Sequence, residues 1–330
     1  MKLADSYNNV RGNDCLMACV TAYMKYCGLR INESDIFLAG DGYHIAYSGN
    51  IYDPKIGADA YEAVYRFIKK YKIPHVHGKI RGEDAVCCLE EAADKGQMIS
   101  VRVMTSGLTY DNVYKSIKAP HWISVIGRNN DKYTIADNAI PGMAGKVYKG
   151  DIDKGELILA WKEMDYEYFI LKGAVKNISG IETVIKEDAK KELDKGLKRY
   201  FNPKRHVFTS EKEGIHAVRG LLEDFKSLDA ADRNEALAIV QMVHYRARIG
   251  GIVSYKNIIY EKLCELGFSV KLIKEYKDNI LVWNKVFMKL LKTGIRCDET
   301  QIDKVIDMAE EAARKEKKIY ESYLQWRHLV

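Results

Sequence analysis

Three side chains that together can perform acyl chemistry stand far apart in this sequence: a thiol at Cys15, an imidazole at His121 and a carboxylate at Asp137. Cys15 follows Asn13 and Asp14, both good helix-capping residues. It precedes a run with apolar residues at helical spacing (Leu16, Cys19, Val20, Tyr23, Cys27) that stops at Gly28. That places the thiol at a helix start, where free backbone N–H groups and the helix dipole favour thiolate over thiol, as a nucleophile requires. A cysteine taken alone is more often a small buried hydrophobe. Cys19, Cys27 and Cys264 fit that description, each on an apolar helical face.

A second feature singles out Cys15. His121 opens the strand-like run His121-Trp122-Ile123-Ser124-Val125-Ile126-Gly127, the chain turns through Arg128-Asn129-Asn130-Asp131, and the returning strand ends at Asp137. A hairpin centred near Asn129 would set His121 opposite Asp137 on one face, within hydrogen-bond reach. A carboxylate there would orient the imidazole and stabilise its cation while the ring takes a proton from a thiol.

The elements that must position these groups fall into two kinds. Helical patterns follow Cys15–Cys27 at 32–38, 57–72 and 82–95, and strand-like runs cover 98–103, 121–127, 132–136 and 166–171. Helices followed by an antiparallel sheet indicate an α+β domain. From about Ile181 onward only long amphipathic segments remain, which predicts an all-helical second domain. The expected domains are 1–175 and 176–330, joined between Lys172 and Glu182. The Gly- and Tyr-rich stretch 39–50 reads as an irregular loop, and its Tyr43, His44 and Tyr47 are candidates to line a substrate cleft, as is Trp122 beside His121. No GxGxxG or P-loop pattern is present.

The order of cysteine, histidine at a strand start and aspartate at the end of the next strand resembles the papain-like superfamily, in particular the bacteriocin leader peptidases that cut after double glycine. Asp14-Cys15 at the helix start, Ala18 and Cys19 in its small-residue part, Lys25-Tyr26-Cys27-Gly28 at its end and the histidine strand 121–127 carry the resemblance. It covers roughly the first 175 residues. It implies a papain-like fold and a Cys15–His121–Asp137 triad. The family's glutamine six residues before the cysteine is Asn9 here, which makes Asn9 the oxyanion candidate, with Asn8 and Asn13 as alternatives.

The additional helical domain and the Gly/Tyr loop look more like longer relatives that build amide bonds, such as the butirosin acyltransferase and the amide synthetase of closthioamide assembly. By that resemblance the cysteine accepts an acyl or peptidyl group from a carrier-protein thioester and passes it to an amine or diamine in nonribosomal natural-product biosynthesis. A peptidase with the same triad is the competing reading, and a helical binding module on a catalytically dead domain is the third.

At 330 residues the chain is roughly twice a typical domain length, enough for two cores without disulfides or metals. The seven cysteines form no C-x-x-C pair, so no metal and no cofactor is expected. His75 and His77 share a strand face but have no acidic or cysteine partner nearby in sequence, and read as structural. The N-terminus lacks a signal-peptide pattern and no run reaches the ~20 apolar residues of a membrane span, which points to a cytoplasmic protein with no membrane association. A net charge of +6 is too mild to argue for nucleic acid, and His244-Tyr245-Arg246-Ala247-Arg248 reads as a basic helix end. The oligomeric state is open, a homodimer being one option.

Overall fold

The computed structural model describes residues 3–116, 118–140, 146–172, 180–203, 212–227, 233–248 and 250–327. The first stretch holds α1 (Leu3–Ser6), α2 (Cys15–Tyr26), α3 (Glu33–Ala39), β1 (Ala46–Tyr47), β2 (Ile56–Gly57), α4 (Ala60–Lys70), β3 (His75–Lys79) and α5 (Gly82–Asp94). Then come β4 (Ile99–Met104), β5 (Pro120–Asn129), β6 (Lys132–Asp137), β7 (Tyr148–Asp153), α6 (Lys154–Lys162) and β8 (Glu167–Leu171). The remainder is α7 (Ile181–Phe201), β9 (Lys212–Glu213), α8 (His216–Lys226), α9 (Arg233–Arg248), α10 (Ile252–Glu265), α11 (Val270–Arg296) and α12 (Ile302–Arg327).

These elements form two compact units. One comprises residues 1–36 and 60–187, the other 37–59 and 188–330. The units are therefore not successive stretches of chain: 37–59, with the Gly/Tyr loop, belongs to the second. The expected joint at 172–182 falls mostly on residues 173–179, which lie outside the described residues.

The first unit is built on a six-stranded sheet of order β3-β8-β4-β5-β6-β7, every neighbouring pair antiparallel. Val101, Val103, Ile123, Val125, Ile135 and Ile152 form one core with Ala85 and Leu89 of α5 and Leu157 and Trp161 of α6. Each such fully buried aliphatic contributes about 1.5–3 kcal/mol relative to exposure. The middle of β5 is buried at six consecutive positions, because α2 covers the opposite face. Strand β7 and helix α6 lie outside the sequence expectation, and β3 extends beyond the strand expected at His75 to His77.

The second unit is helical around α11, whose 27 residues span about 40 Å. Trp283, Phe287 and Leu290 of α11 are buried, as are Leu221 and Leu222 of α8, Ile258 and Ile259 of α10, and Val305 and Ala309 of α12. The all-helical expectation needs one amendment, since β2, β1 and β9 form a small antiparallel sheet within this unit. Strands of two residues carry no periodicity that a sequence reading could detect. Phe37 stacks on Tyr255 and Tyr43 on Tyr200, which fastens the 37–59 segment to α10 and α7. Deep in this unit Lys256 and Glu316 form an ion pair, both side chains at or below 2% exposure. Tyr200 Oη and Trp283 Nε1 both donate to Glu316 Oε2, at 3.2 and 3.0 Å.

Candidate functional site

The β5–β6 hairpin supplies two of the three candidate groups. Its turn is Asn130-Asp131, with Asn129 opposite Lys132, and a bulge between Val125 and Gly127 resets the register so that Ser124 faces Ala136. Continuing that pairing puts Ile123 opposite Asp137, so His121 lies diagonal to the aspartate and not directly across from it as the sequence suggested. The turn lies later in the chain than Asn129, and the bulge adds a residue that no pattern announces. The diagonal keeps both side chains on one face: His121 Nε2 is 3.0 Å from Asp137 Oδ1.

Asp137 is fully buried and His121 3% exposed. Two phenols complete the carboxylate's shell. Tyr110 Oη donates to Asp137 Oδ2 at 2.7 Å, Tyr114 Oη makes a short hydrogen bond to the same oxygen, and the Ala139 N–H donates to Oδ1 at 3.1 Å. Tyr114 Oη also lies 3.1 Å from His121 Nε2. Burial alone would raise the Asp137 pKa, but the imidazole and the two phenols hold it below the usual carboxylate range. For His121, burial works against the cation, yet Asp137 first and the nearby Cys15 thiol second raise its pKa. Nε2 is thus committed to Asp137, and Nδ1 is the nitrogen left for Cys15.

Cys15 is brought to this pair by hydrogen bonds between the segment before it and the residue after Asp137. Val10 N donates to Asn138 Oδ1 at 3.0 Å, Gly12 N donates to Asn138 O at 2.8 Å, and Asn138 Nδ2 donates to Tyr7 Oη at 2.8 Å. Gly12 is required by contact, because a Cβ there would lie 2.2 Å from Ala18 Cβ. On the other side, the Glu33 carboxylate at the start of α3 accepts from Asn13 N, Asn13 Nδ2 and Asp14 N at 2.7–3.0 Å. Asp14 then caps α2, its Oδ1 accepting from Leu16 N and Met17 N and its carbonyl from Ala18 N. Of the first N–H groups of α2, that of Cys15 has no acceptor among the described residues. Such an unsatisfied N–H at a helix start is the kind of donor that an oxyanion on a carbonyl attacked by that thiol would need.

The other sequence candidates occupy different settings. Asn9 Nδ2 donates to Tyr148 O at 2.7 Å, Asn8 is exposed, and the Asn13 amide is engaged by Glu33. Trp122 is buried, with its ring 6.2 Å from that of Tyr61. Tyr43 and Tyr47 are buried within the second unit, where the half-exposed His44 bonds Glu213 at 2.9 Å. His77, read as lacking an acidic partner, has one in Glu167 at 3.0 Å, ninety positions along the chain. Cys19 and Cys27 are buried as expected, but Cys264, in the last turn of α10, is exposed. Among the described residues no group of three or more His, Cys, Asp or Glu side chains is placed to hold a metal ion, and no helix is long and apolar enough to cross a membrane. Tyr110, Tyr114, Glu33 and Asn138 are the residues around the candidate site that sequence reasoning missed. The i,i+4 tyrosine pair ahead of the histidine strand was the one visible signal.

No protein-family model and no curated protein matches this sequence. Among solved structures, the chain is similar to a Bacillus anthracis protein described as a C39-like peptidase, at 13% identity and a TM-score of 0.36. The match covers 52% of this chain and 96% of that one. What the protein can do is therefore read from the arrangement of Cys15, His121 and Asp137.

Proposed function

We propose that this protein is a cysteine-dependent acyltransferase, an amide synthetase that takes an acyl or peptidyl group from a carrier-protein thioester onto Cys15 and passes it to an amine or diamine. The observation that carries the reading is the buried His121–Asp137 pair, held by two tyrosine hydroxyls beside a thiol at a helix start. The thiolate of Cys15 attacks the thioester carbonyl while the Cys15 N–H faces the developing oxyanion. The tetrahedral adduct expels the carrier thiolate, which takes a proton from the His121 imidazolium. An amine then attacks the acyl-Cys15 carbonyl, neutral His121 accepts its proton, and the Cys15 thiolate leaves. The sum is thioester plus amine giving amide plus thiol.

A thioester donor asks less of the His121 imidazolium than an amide donor does. A departing thiolate does not need that proton to leave, whereas a departing amine does. Whether water or an amine discharges the acyl-enzyme depends on which is held at the carbonyl.

Incubation with an acyl thioester of a phosphopantetheine mimic, followed by intact-protein mass spectrometry, tests the reading. An acyl adduct on Cys15 that is released as amide when a primary amine or diamine is added is the expected result. Cleavage of a peptide after paired glycines, with every acyl thioester left untouched, would establish a peptidase instead.

A further inference from the structure

The second unit contains a cleft of about 410 Å³ lying between α8 and α12. That is within the size range of small-ligand sites. Its floor is the Trp283 indole, 1% exposed and fixed in plane by its hydrogen bond to Glu316. α12 lines the opening with the small side chains of Ala309 and Ala313, one turn apart, and α8 lines it with Val218 and Leu222.

Two ion pairs fix how the helices run past each other. Lys226 meets Asp303 at 2.5 Å and Arg219 meets Glu310 at 3.1 Å, so α8 and α12 are antiparallel. The cleft is therefore polarised. Leu222 and Ile306 lie toward one end, and His216, Arg314 and Lys317 gather at the other. His216 and Lys317 are exposed and have no ion-pair partner among the described residues, while Arg314 shares its charge with Glu311 at 2.9 Å. Glu310, already paired with Arg219, is the one acidic residue of the lining. From Ile306 to Lys317 along α12 is about 16 Å, long enough for an extended chain.

We propose that this cleft binds a single-chain amphiphile with an anionic head, a fatty carboxylate or an alkyl phosphate. The head sits at His216, Arg314 and Lys317, and the chain lies over Trp283 toward Leu222 and Ile306. An apolar slot with a cationic mouth fits that chemistry, and a cationic or headless chain leaves the mouth uncompensated. The proposal goes beyond acyl transfer and does not depend on it, because every residue involved belongs to the second unit.

Isothermal titration with decyl phosphate, decanoate and decyltrimethylammonium, each below its micelle concentration, provides the test. One of the two anions, or both, is expected to bind one per chain. The tighter of them identifies a phosphorylated chain or a free acid, and the ammonium should bind at least roughly tenfold more weakly. Arg314→Gln with Lys317→Gln should weaken the anion by roughly tenfold or more, and Ala313→Leu, which fills the slot without disturbing helix content by circular dichroism, should abolish binding. Cys15→Ala should bind unchanged, so this proposal and the acyl-transfer reading fail separately. Equal binding of anion and ammonium, no binding of either anion, or undiminished binding by both altered proteins would overturn the proposal.

Discussion

Each unit contains a buried carboxylate that faces a cation and accepts tyrosine hydroxyl hydrogen bonds, yet the two sites are suited to different tasks. In the first, Asp137 meets His121, with Tyr110 and Tyr114 around it; in the second, Glu316 meets Lys256, with Tyr200 and Trp283 around it. His121 has a second ring nitrogen available and a half-buried thiol next to it. The Lys256 ammonium is 0% exposed and lies over the rings of Tyr200 and Trp283. A buried ion pair becomes chemically useful when one member can still exchange a proton with something that reaches solvent. Sealed on all sides, the same pair ties α10 to α12.

The largest expected effect separates the two at once. Cys15→Ala should leave no acyl adduct, and His121→Ala should lower turnover by roughly 10²–10⁴-fold, as removal of a general base does. Neither should alter the stability of the second unit. Preferential alkylation of Cys87, Cys264 or Cys297 by limiting iodoacetamide, with Cys15→Ala fully active, would break the assignment.

Next in size is the strut. Glu316→Gln leaves the Lys256 ammonium buried and uncompensated, which should cost about 3–5 kcal/mol in urea denaturation, whereas Lys256→Met with Glu316→Leu should recover most of the loss. If Glu316→Gln proved neutral in denaturation but abolished acyl transfer, the distinction drawn between the two pairs would have to be reversed.

Smaller again is the effect of one phenol. Tyr114→Phe removes a donor to a charged acceptor, so kcat should fall by roughly 10–100-fold. The acid limb of the pH profile should move upward, because Tyr114 is one of the groups holding Asp137 low. A change confined to melting temperature would make Tyr114 structural only.

The finest comparison is in pH, where the two pairs should have opposite slopes. His121 is raised from 6.5 to about 10, so its stabilising contribution is complete below pH 6.5 and is lost as pH climbs toward about 10. Lys256 is lowered from 10.5 because burial outweighs Glu316, so its charged form costs stability at neutral pH and the cost shrinks as pH rises toward 10.5. Over the alkaline range, the melting temperature of the native protein should fall relative to His121→Gln and rise relative to Lys256→Met. Parallel slopes would refute the contrast.

What the sequence revealed follows the same local-versus-distant division. The start of α2 at Cys15 and the strands bearing His121 and Asp137 are short-range patterns, and each was legible. β7 (Tyr-Lys-Gly-Asp-Ile-Asp) was not, and β3 (His-Val-His-Gly-Lys) showed only through its paired histidines, because edge strands with one open side carry polar sequences and little hydrophobic alternation. Glu33 and Asn138 enter the site through tertiary contacts that have no sequence signature, and the two tyrosines left only their i,i+4 spacing ahead of the histidine strand. Trp122 lies next to His121 in sequence, but alternation along the strand turns its ring to the other face.

The hydrogen bonds around Cys15 also imply an order of assembly. Glu33 is 20 positions from Asn13, and His121 is 16 from Asp137, so each half of the site closes a short loop at small entropic cost. Val10 and Asn138 are 128 apart, and closures of that length bring the thiol to the ring. Two preformed halves joined by one late, long-range step would leave the thiol unpaired with its base until most of the first unit has folded. A partly folded chain would then carry the hairpin and the capped helix without a reactive centre.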